Sequence, residues 1–284
     1  MRFPFFSRSA SIAPGTPFVT FERLGHMGKF GNQLFQVAAT LGIARSSGCP
    51  ALFSPTLRWK AEQQLASRLP RADGRLPRVA ELKEPSFDYH PIAIDEPTDL
   101  VGYFQSERYF AHCADEVRAL FAPAPGIESA LRAKYAEVLT RRPCSLHVRR
   151  TNYLKNPNFA HLCDGDYFER AIAVFGADTT FLVFSDDIEW CRARFGDGRF
   201  VFVQNRWDIE DFFLMSFCSH HVISNSSFSW WAAWLGTNLE KRVIAPRDWF
   251  AGEYADASLP FSAGPPHRGF LDTRDLVPPG WSRI

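Results

Sequence analysis

The sequence predicts an α/β fold of parallel sheets covered by helices, and three observations carry that reading. The second half alternates short apolar runs with helical patterns in βαβα order, as a sheet covered on both faces requires. The first half opens with a β-rich run, a glycine-rich turn and a helical pattern, the start of a Rossmann-like unit. The 284 residues are 46% hydrophobic and 15% aromatic, enough for one large or two ordinary domains with a substantial core.

Residues 1–16 read as a disordered leader. Residues 17–23, PFVTFER, alternate like a strand, and GHMGKFG at 25–31 supplies the turn. Residues 32–45 follow as a helix, with Leu34, Val37, Ala38 and Leu41 at helical spacing and Asn32 suited to the N-cap. Residues 53–97 lack clear periodicity and predict short helices with long connections. A strand at 99–104 precedes a helix at 107–121, which Pro123-Ala124-Pro125-Gly126 stops; a second helix spans 127–140. Beyond it, strands are expected at 144–148, 180–184, 200–203, 221–223 and 243–245. Helices are expected at 166–175, 188–195, 209–218 and 228–235. The domain boundary is placed near residues 140–143, dividing 17–141 from 142–284. Internal repeats and low-complexity tracts are absent from the sequence.

Composition narrows the function classes. Lys+Arg 32 against Asp+Glu 31 leaves a formal charge of +1, so no basic field argues for nucleic acid. No apolar run approaches the roughly 18 residues of a membrane span. The N-terminal MRFPFFSRSASIAPG lacks the apolar core of a signal peptide, while Phe3, Phe5 and Phe6 offer weak surface adhesion. Cys49, Cys113, Cys144, Cys163, Cys191 and Cys218 include no CxxC pair and read as reduced, buried thiols. The expected location is therefore cytoplasmic, with peripheral contact at the inner membrane face left open. His161-Leu162-Cys163-Asp164 is the only tight cluster of ligand types, and no metal site is expected.

In open α/β sheets, ligands bind beyond the C-terminal ends of strands. Three predicted strands end in polar groups: His147-Val148-Arg149-Arg150-Thr151-Asn152, Ser185-Asp186-Asp187 and Ser224-Asn225-Ser226-Ser227. If these strands are neighbours, two arginines, an aspartate and a serine-capped helix N-terminus converge. Arginine's planar fork suits phosphate, a helix N-terminus suits an anion, and a carboxylate suits a base or a ribose hydroxyl. That describes a site for a nucleoside diphosphate. Each feature also has a plainer reading: the arginines as solvated surface, Asp186 or Asp187 as an N-cap, Ser226-Ser227 as a cap alone. Trp230, Trp231 and Trp234 read as core rather than sugar platforms, and His220 and His221 as structural. The GKFG loop is neither a Walker loop nor GxGxxG.

Six ordered blocks resemble glycosyltransferase family 11, the α-1,2-fucosyltransferases. They are GKFGNQLFQ (28–36), YFQSERYF (103–110), HVRRTNY (147–153), FSDDIEWC (184–191), LMSFCSHHVISNSSFSWWAAWLG (214–236) and VIAPRDWF (243–250). The resemblance implies a GT-B-type fold of two Rossmann-like domains facing a cleft. It implies GDP-β-L-fucose as donor and inverting, metal-independent transfer to the 2-hydroxyl of a terminal β-galactoside, lactose-like or a lipopolysaccharide glycan. No cofactor or metal is expected, and the oligomeric state is open.

By the same resemblance, His147 and Arg149 contact GDP, with Arg149 on its phosphates and Arg150 supporting. Ser226 and Ser227 hold the β-phosphate, Asp186 faces the guanosine, and Asn32 sits near the fucose or the acceptor. Phe30, Gly31, Asn152, Ser185 and Asn225 complete the expected donor site. The family's arginine motif is usually HxRRxD, whereas Thr151-Asn152 stands here in place of Gly-Asp. An asparagine cannot be a general base, so Asn152 is expected to keep the aspartate's structural hydrogen bonds. The base itself stays open among His26, Asp164, Asp166, Glu169 and a phosphate oxygen of the donor. Asn152 also keeps a second reading alive, a non-catalytic GDP-sugar or glycan-binding homologue.

Overall fold

The computed structural model describes residues 9–10, 13, 15–57, 65, 67–77, 79–264 and 267–284. Contacts divide the chain into two units, Met1–Ala122 with Ala257–Leu276 and Pro123–Asp256 with Val277–Ile284. Both contain parallel β-structure, and the α/β class is borne out.

The first unit contains β1 (Ser9–Ala10), β2 (Val19–Thr20), α1 (Phe30–Ser46), β3 (Arg71–Ala72), β4 (Ala80–Lys83), β5 (Thr98–Val101) and α2 (Ala114–Phe121). Strands β2, β5 and β4 form a parallel sheet in that order, and β1 pairs with β3. Of the expected leader, Ser9–Ala10 is thus a paired strand, while Phe3, Phe5 and Phe6 lie outside the described residues.

The expected helix at 107–121 is instead two 3-10 turns, Glu107–Tyr109 and Ala111–Cys113, ahead of α2. Tyr109 and Phe110 are buried, and their backbone lies against α1 at Gly42. The close approach explains the glycine in the middle of an otherwise strong helix. It also explains the break in the 107–121 helix, whose backbone must turn to bury two aromatic rings there.

The second unit contains α3 (Pro125–Lys134), α4 (Ala136–Thr140), β6 (Cys144–Val148), α5 (Tyr167–Ala173), β7 (Phe181–Ser185), α6 (Ile188–Arg194), β8 (Phe200–Phe202), α7 (Asp208–Ser216), β9 (His220–Val222), α8 (Ser227–Leu235), β10 (Val243–Ala245), α9 (Gly252–Ala255) and β11 (Ser282–Arg283). Six parallel strands run in the order β11-β10-β9-β6-β7-β8. Successive strands lie to one side of β6 as far as β8, and then the chain crosses to β9 on the other side. Core residues Leu146, Val148, Phe168, Phe181, Val183 and Val222 are buried between the sheet and its helices.

The chain divides at Ala122/Pro123 rather than near residues 140–143. Helices α3 and α4 go with the second unit because Lys134 Nζ and Tyr135 Oη both donate to Asn205 Oδ1, at 2.6 and 2.8 Å. Residues 257–276 return to the first unit. There His267 Nε2 lies 2.9 Å from Glu84 Oε2, both side chains being buried, and Arg108 pairs with Asp275 at 2.9 Å. No helix among the described residues is long and apolar enough to cross a membrane.

A Cβ at Gly42 would overlap the Tyr109 carbonyl oxygen. Alanine would gain about 1 kcal/mol in helix propensity, but overpacking against backbone costs roughly 1–3 kcal/mol or more. Gly42→Ala is therefore expected to lower the melting temperature followed by circular dichroism. An unchanged or raised value contradicts the packing described.

Candidate functional site

The reversal of strand order at β6 and β9 creates a topological switch point, where open α/β sheets bind ligands beyond their strand ends. Leu146 is level with Val222 on one side of β6, and Val148 with Ser185 on the other. That register brings the residues after all three strands to one edge of the sheet. The three strands are thus neighbours, the condition on which Arg149, Arg150, Asp186 and the Ser224–Ser227 turn were expected to converge.

The turn after β9 is held from several directions. Asn225 Nδ2 donates to the carbonyls of Ala160 and Trp249, both at 2.9 Å, and its buried Oδ1 has no partner among the described residues. Tyr153 Oη donates to the Asn225 carbonyl at 2.9 Å while its ring stacks on Phe159 with centroids 4.3 Å apart. Burial pushes the Tyr153 phenol up to about 12, so it remains a donor at neutral pH. Ser226 then N-caps α8, its Oγ accepting from the Phe228 N–H. At the other end of this helix, Lys241 Nζ donates to the carbonyls of Ala233, Trp234 and Gly236 at 2.7, 3.2 and 2.6 Å. A lysine there satisfies orphan carbonyls and complements the helix dipole. Trp230, Trp231 and Trp234 are buried along the helix and act as core.

His147 is buried at the end of β6. Its Nδ1 lies 2.8 Å from Ser229 Oγ and 3.0 Å from Ser224 Oγ. Burial, and then the neighbouring Arg149 charge, pull its pKa down to about 3. It is a neutral imidazole that ties β6 to the first turn of α8.

The two arginines have different partners. Arg150 Nη1 pairs with Asp187 Oδ2 at 2.6 Å, and the guanidinium lies over the Trp190 ring. Asp187 also caps α6 by accepting from the Trp190 N–H at 3.2 Å, so the N-cap reading belongs to Asp187. Ser185 Oγ accepts from the Asp187 N–H at 2.9 Å and shapes the same turn. Arg149 Nη1 lies 3.2 Å from Asp186 Oδ2, both side chains being about one-fifth exposed. The Asp186 carboxylate also accepts from the Arg150 N–H at 2.8 Å and the Thr151 hydroxyl at 2.5 Å. Partial burial raises the Asp186 pKa, and these donors with the Arg149 charge outweigh it, leaving the carboxyl below its ordinary range. Asp186 thus braces the arginine loop. Asn152 ends that loop at the N-cap of a 3-10 turn, Tyr153–Lys155.

Three carboxylates considered as general base are engaged elsewhere. Asp166 pairs with Arg170 at 2.9 Å, Glu169 with Arg194 at 2.7 Å, and Asp164 lies 3.5 Å from His161 Nδ1. The hydrogen bond from Arg170 is the main cause holding Asp166 low. For Glu169, burial pushes up and the Arg194 hydrogen bond and charge outweigh it. Among the described residues, no group of three or more His, Cys, Asp or Glu is placed to hold a metal ion.

In the first unit, α1 begins at Phe30 after an N-cap at Lys29 that provides no side-chain cap. Asn32 is therefore inside the first turn rather than at the N-cap, and its Oδ1 accepts from Gln105 Nε2 at 3.1 Å. Gly28, at φ 69°, precedes it with no room for a Cβ between Asn32 and Tyr103. Gly31 is buried behind Phe30, and His26 is exposed in the preceding turn. Sequence reading missed Thr151 and Tyr153 as struts. It also missed the buried Glu84–His267 pair, for which no local spacing gives a signal.

A family model covers more than half of the chain. The model described as Glycosyl transferase family 11 matches residues 78–259. An O-antigen biosynthesis glycosyltransferase, WbnK of Escherichia coli, is 41% identical over 118 residues, 38% of this chain and 39% of that protein. An α-1,2-colitosyltransferase of Escherichia coli is 35% identical over 170 residues, 55% of this chain and 57% of that protein. Galactoside α-(1,2)-fucosyltransferase 1 of Rattus norvegicus is 28% identical over 232 residues, 73% and 61% of the two chains. The chain thus spans 39% to 61% of the length of these curated relatives. Fucosyltransferase NodZ from Bradyrhizobium superposes with a TM-score of 0.48 at 12% identity, covering 76% of this chain and 92% of that one.

With a folded pKa near 3 against an ordinary 6.5, protonation of His147 favours the unfolded chain. The stability it lends is present above about pH 6.5 and declines as pH falls below that value. Nitrogen-resolved NMR of the histidine rings is expected to show His147 neutral from pH 8 to 5. A titration midpoint near 6.5 contradicts this environment.

Proposed function

We propose, since the chain belongs to glycosyl transferase family 11, that it transfers L-fucose from GDP-β-L-fucose to the 2-hydroxyl of a terminal galactoside. Transfer inverts the anomeric centre and calls for no metal. The observation that carries this reading is the arrangement at the switch point, with Arg149 and the capped N-terminus of α8 at one sheet edge. That pair suits a diphosphate by charge and by hydrogen-bond direction. The galactoside and the α-1,2 linkage are supported by the name of the rat relative, and a lipopolysaccharide-type acceptor by the O-antigen name of the Escherichia coli one. The colitosyltransferase relative supports a second reading, in which the transferred sugar is colitose.

Fucosyl transfer passes through an oxocarbenium-like state, as glycoside hydrolysis does. Negative charge grows on the β-phosphate as GDP leaves. Arg149 and the amides opening α8, Ser227 among them, meet that charge in a fixed geometry. His147, held neutral, presents Nε2 to the nucleotide, and the unpartnered Asn225 Oδ1 offers a buried acceptor to a donor hydroxyl. Arg150, Ser185 and Asn152 shape the loops around the nucleotide. On the acceptor side, Asn32, with Phe30 and Gly31 beside it, serves the fucose or the incoming galactoside.

The acceptor hydroxyl must lose a proton late in the displacement. The ion pairs of Asp166 and Glu169 make them weak bases, which favours His26 or a phosphate oxygen of the donor. An acidic limb of the pH–rate profile that persists unmoved in His26→Ala and in Asp164→Asn favours the donor phosphate as proton acceptor.

Charge-assisted hydrogen bonds contribute roughly 1.5–3 kcal/mol each, so Arg149→Ala is expected to slow transfer about 10²-fold or more while the protein stays folded. The assay is GDP release from GDP-fucose with lactose in EDTA, with linkage analysis of the product. Near wild-type turnover in Arg149→Ala sinks the assignment of that residue. GDP binding without release on any galactoside would leave a binding homologue instead.

A further inference from the structure

We propose that Asp186 is the positioning residue of the site, aiming the Arg149 guanidinium at the diphosphate rather than reading the nucleotide's base. This rests on the diphosphate site of the preceding reading and adds a role that the strand-end argument does not give to this aspartate.

Register supplies the first reason. Val148 and Ser185 are partners in the parallel pairing of β6 and β7, so Arg149 and Asp186 are the next residues off two adjacent strands. The pair is a continuation of the sheet beyond its last rung, and rigid neighbouring strands fix where the carboxylate stands. Saturation supplies the second. Oδ1 accepts the Arg150 N–H at 2.8 Å, while Oδ2 takes the Thr151 hydroxyl at 2.5 Å and lies 3.2 Å from Arg149 Nη1. A carboxylate has about four lone-pair directions, and three donors from one loop already use most of them. Little capacity remains for the donor edge of a purine.

The third reason is what an arginine needs in order to act on a phosphate. Its long side chain has many rotamers, and catalytic or binding geometry is lost by displacements of about 1 Å. A guanidinium can serve two oxyanions through different edges of its planar fork. With one edge directed to Asp186, the fork's orientation is set before ligand arrives. Thr151 supports the clamp at the same oxygen, so the residue that stands in place of the motif's glycine acquires a task here. Asp187 makes the equivalent pairing with Arg150 at 2.6 Å and also caps α6. The two consecutive aspartates thus hold the two consecutive arginines, Asp186 orienting one toward the ligand site and Asp187 fastening the other to the fold.

The test is calorimetric binding of GDP and of inosine diphosphate, which lacks the purine 2-amino group, to four proteins: wild type, Asp186→Asn, Arg149→Lys and the double variant. A positioning role predicts that Asp186→Asn weakens both nucleotides alike, by about tenfold, with the GDP-to-IDP ratio unchanged. In the Arg149→Lys background the same substitution is expected to cost less than about twofold, because its effect runs through the arginine. Thr151→Val, a milder change, is expected to weaken both nucleotides in the same ratio but by less, and it carries the test should Asp186→Asn fail to fold. Equal losses in both backgrounds, a loss confined to GDP, or wild-type affinity in Asp186→Asn overturns the proposal. Wild-type protein that binds neither nucleotide removes the diphosphate site, and this inference with it. Wild-type protein that binds GDP but transfers nothing overturns only the transferase reading.

Discussion

Strand β6 has a parallel neighbour on each side, β7 in register from Cys144↔Phe181 to Val148↔Ser185 and β9 from Cys144↔His220 to Leu146↔Val222. The two neighbours are reached by chain segments running in opposite directions across the sheet. Parallel strands all end at one edge, and a right-handed crossover covers each face with helices. The space beyond β6 and β9 is therefore the one place along this edge where flanking helices diverge. Slip either register by a residue and Arg149 no longer meets Asp186, nor His147 Ser224 and Ser229. Every polar contact of the candidate site inherits its geometry from this pairing.

The electrostatics of the site follow from near-cancellation. Arg149 and Arg150 are matched by Asp186 and Asp187, and buried His147 is neutral. Side chains alone thus give little net charge, in keeping with a whole chain of formal charge +1. What favours an anion is direction: the amides opening α8 and an arginine fork held in a set orientation. Such a site depends on rigidity. The capped and lysine-closed helix, the Tyr153 strut and the doubly bonded Asn225 amide supply it. The tryptophans, read as core from the sequence, serve this rigidity from behind, with Trp230 and Trp231 fully buried against one another.

Much of the second unit was legible in the sequence because its strands are fully buried apolar runs, such as CSLHV and VIA, with polar residues at their ends. Strands 144–148 and 243–245 were placed exactly as found, and the other three within a residue. The first unit was less legible. Strand β4, Ala80–Lys83, has a half-exposed pattern with no apolar run, and it exists through its pairing with β5. Asn32 looked like an N-cap by composition, yet the helix starts two residues earlier without a side-chain cap. Residues 257–276 carry no periodic signal, and their place depends on His267 meeting Glu84 across most of the chain. In the site, sequence identified which loops matter but not the division of labour between the paired aspartates. That division depends on strand register, which one-dimensional spacing does not contain.

The edge beyond β6 and β9 is proposed to hold a diphosphate. A crystal structure with GDP bound tests it most directly. The β-phosphate is expected within hydrogen-bonding distance of the backbone amides of Ser227–Ser229 and of the Arg149 guanidinium, with Arg149 still paired to Asp186. A diphosphate seated elsewhere, for instance on the Gly28–Gly31 turn of the first unit, would contradict it.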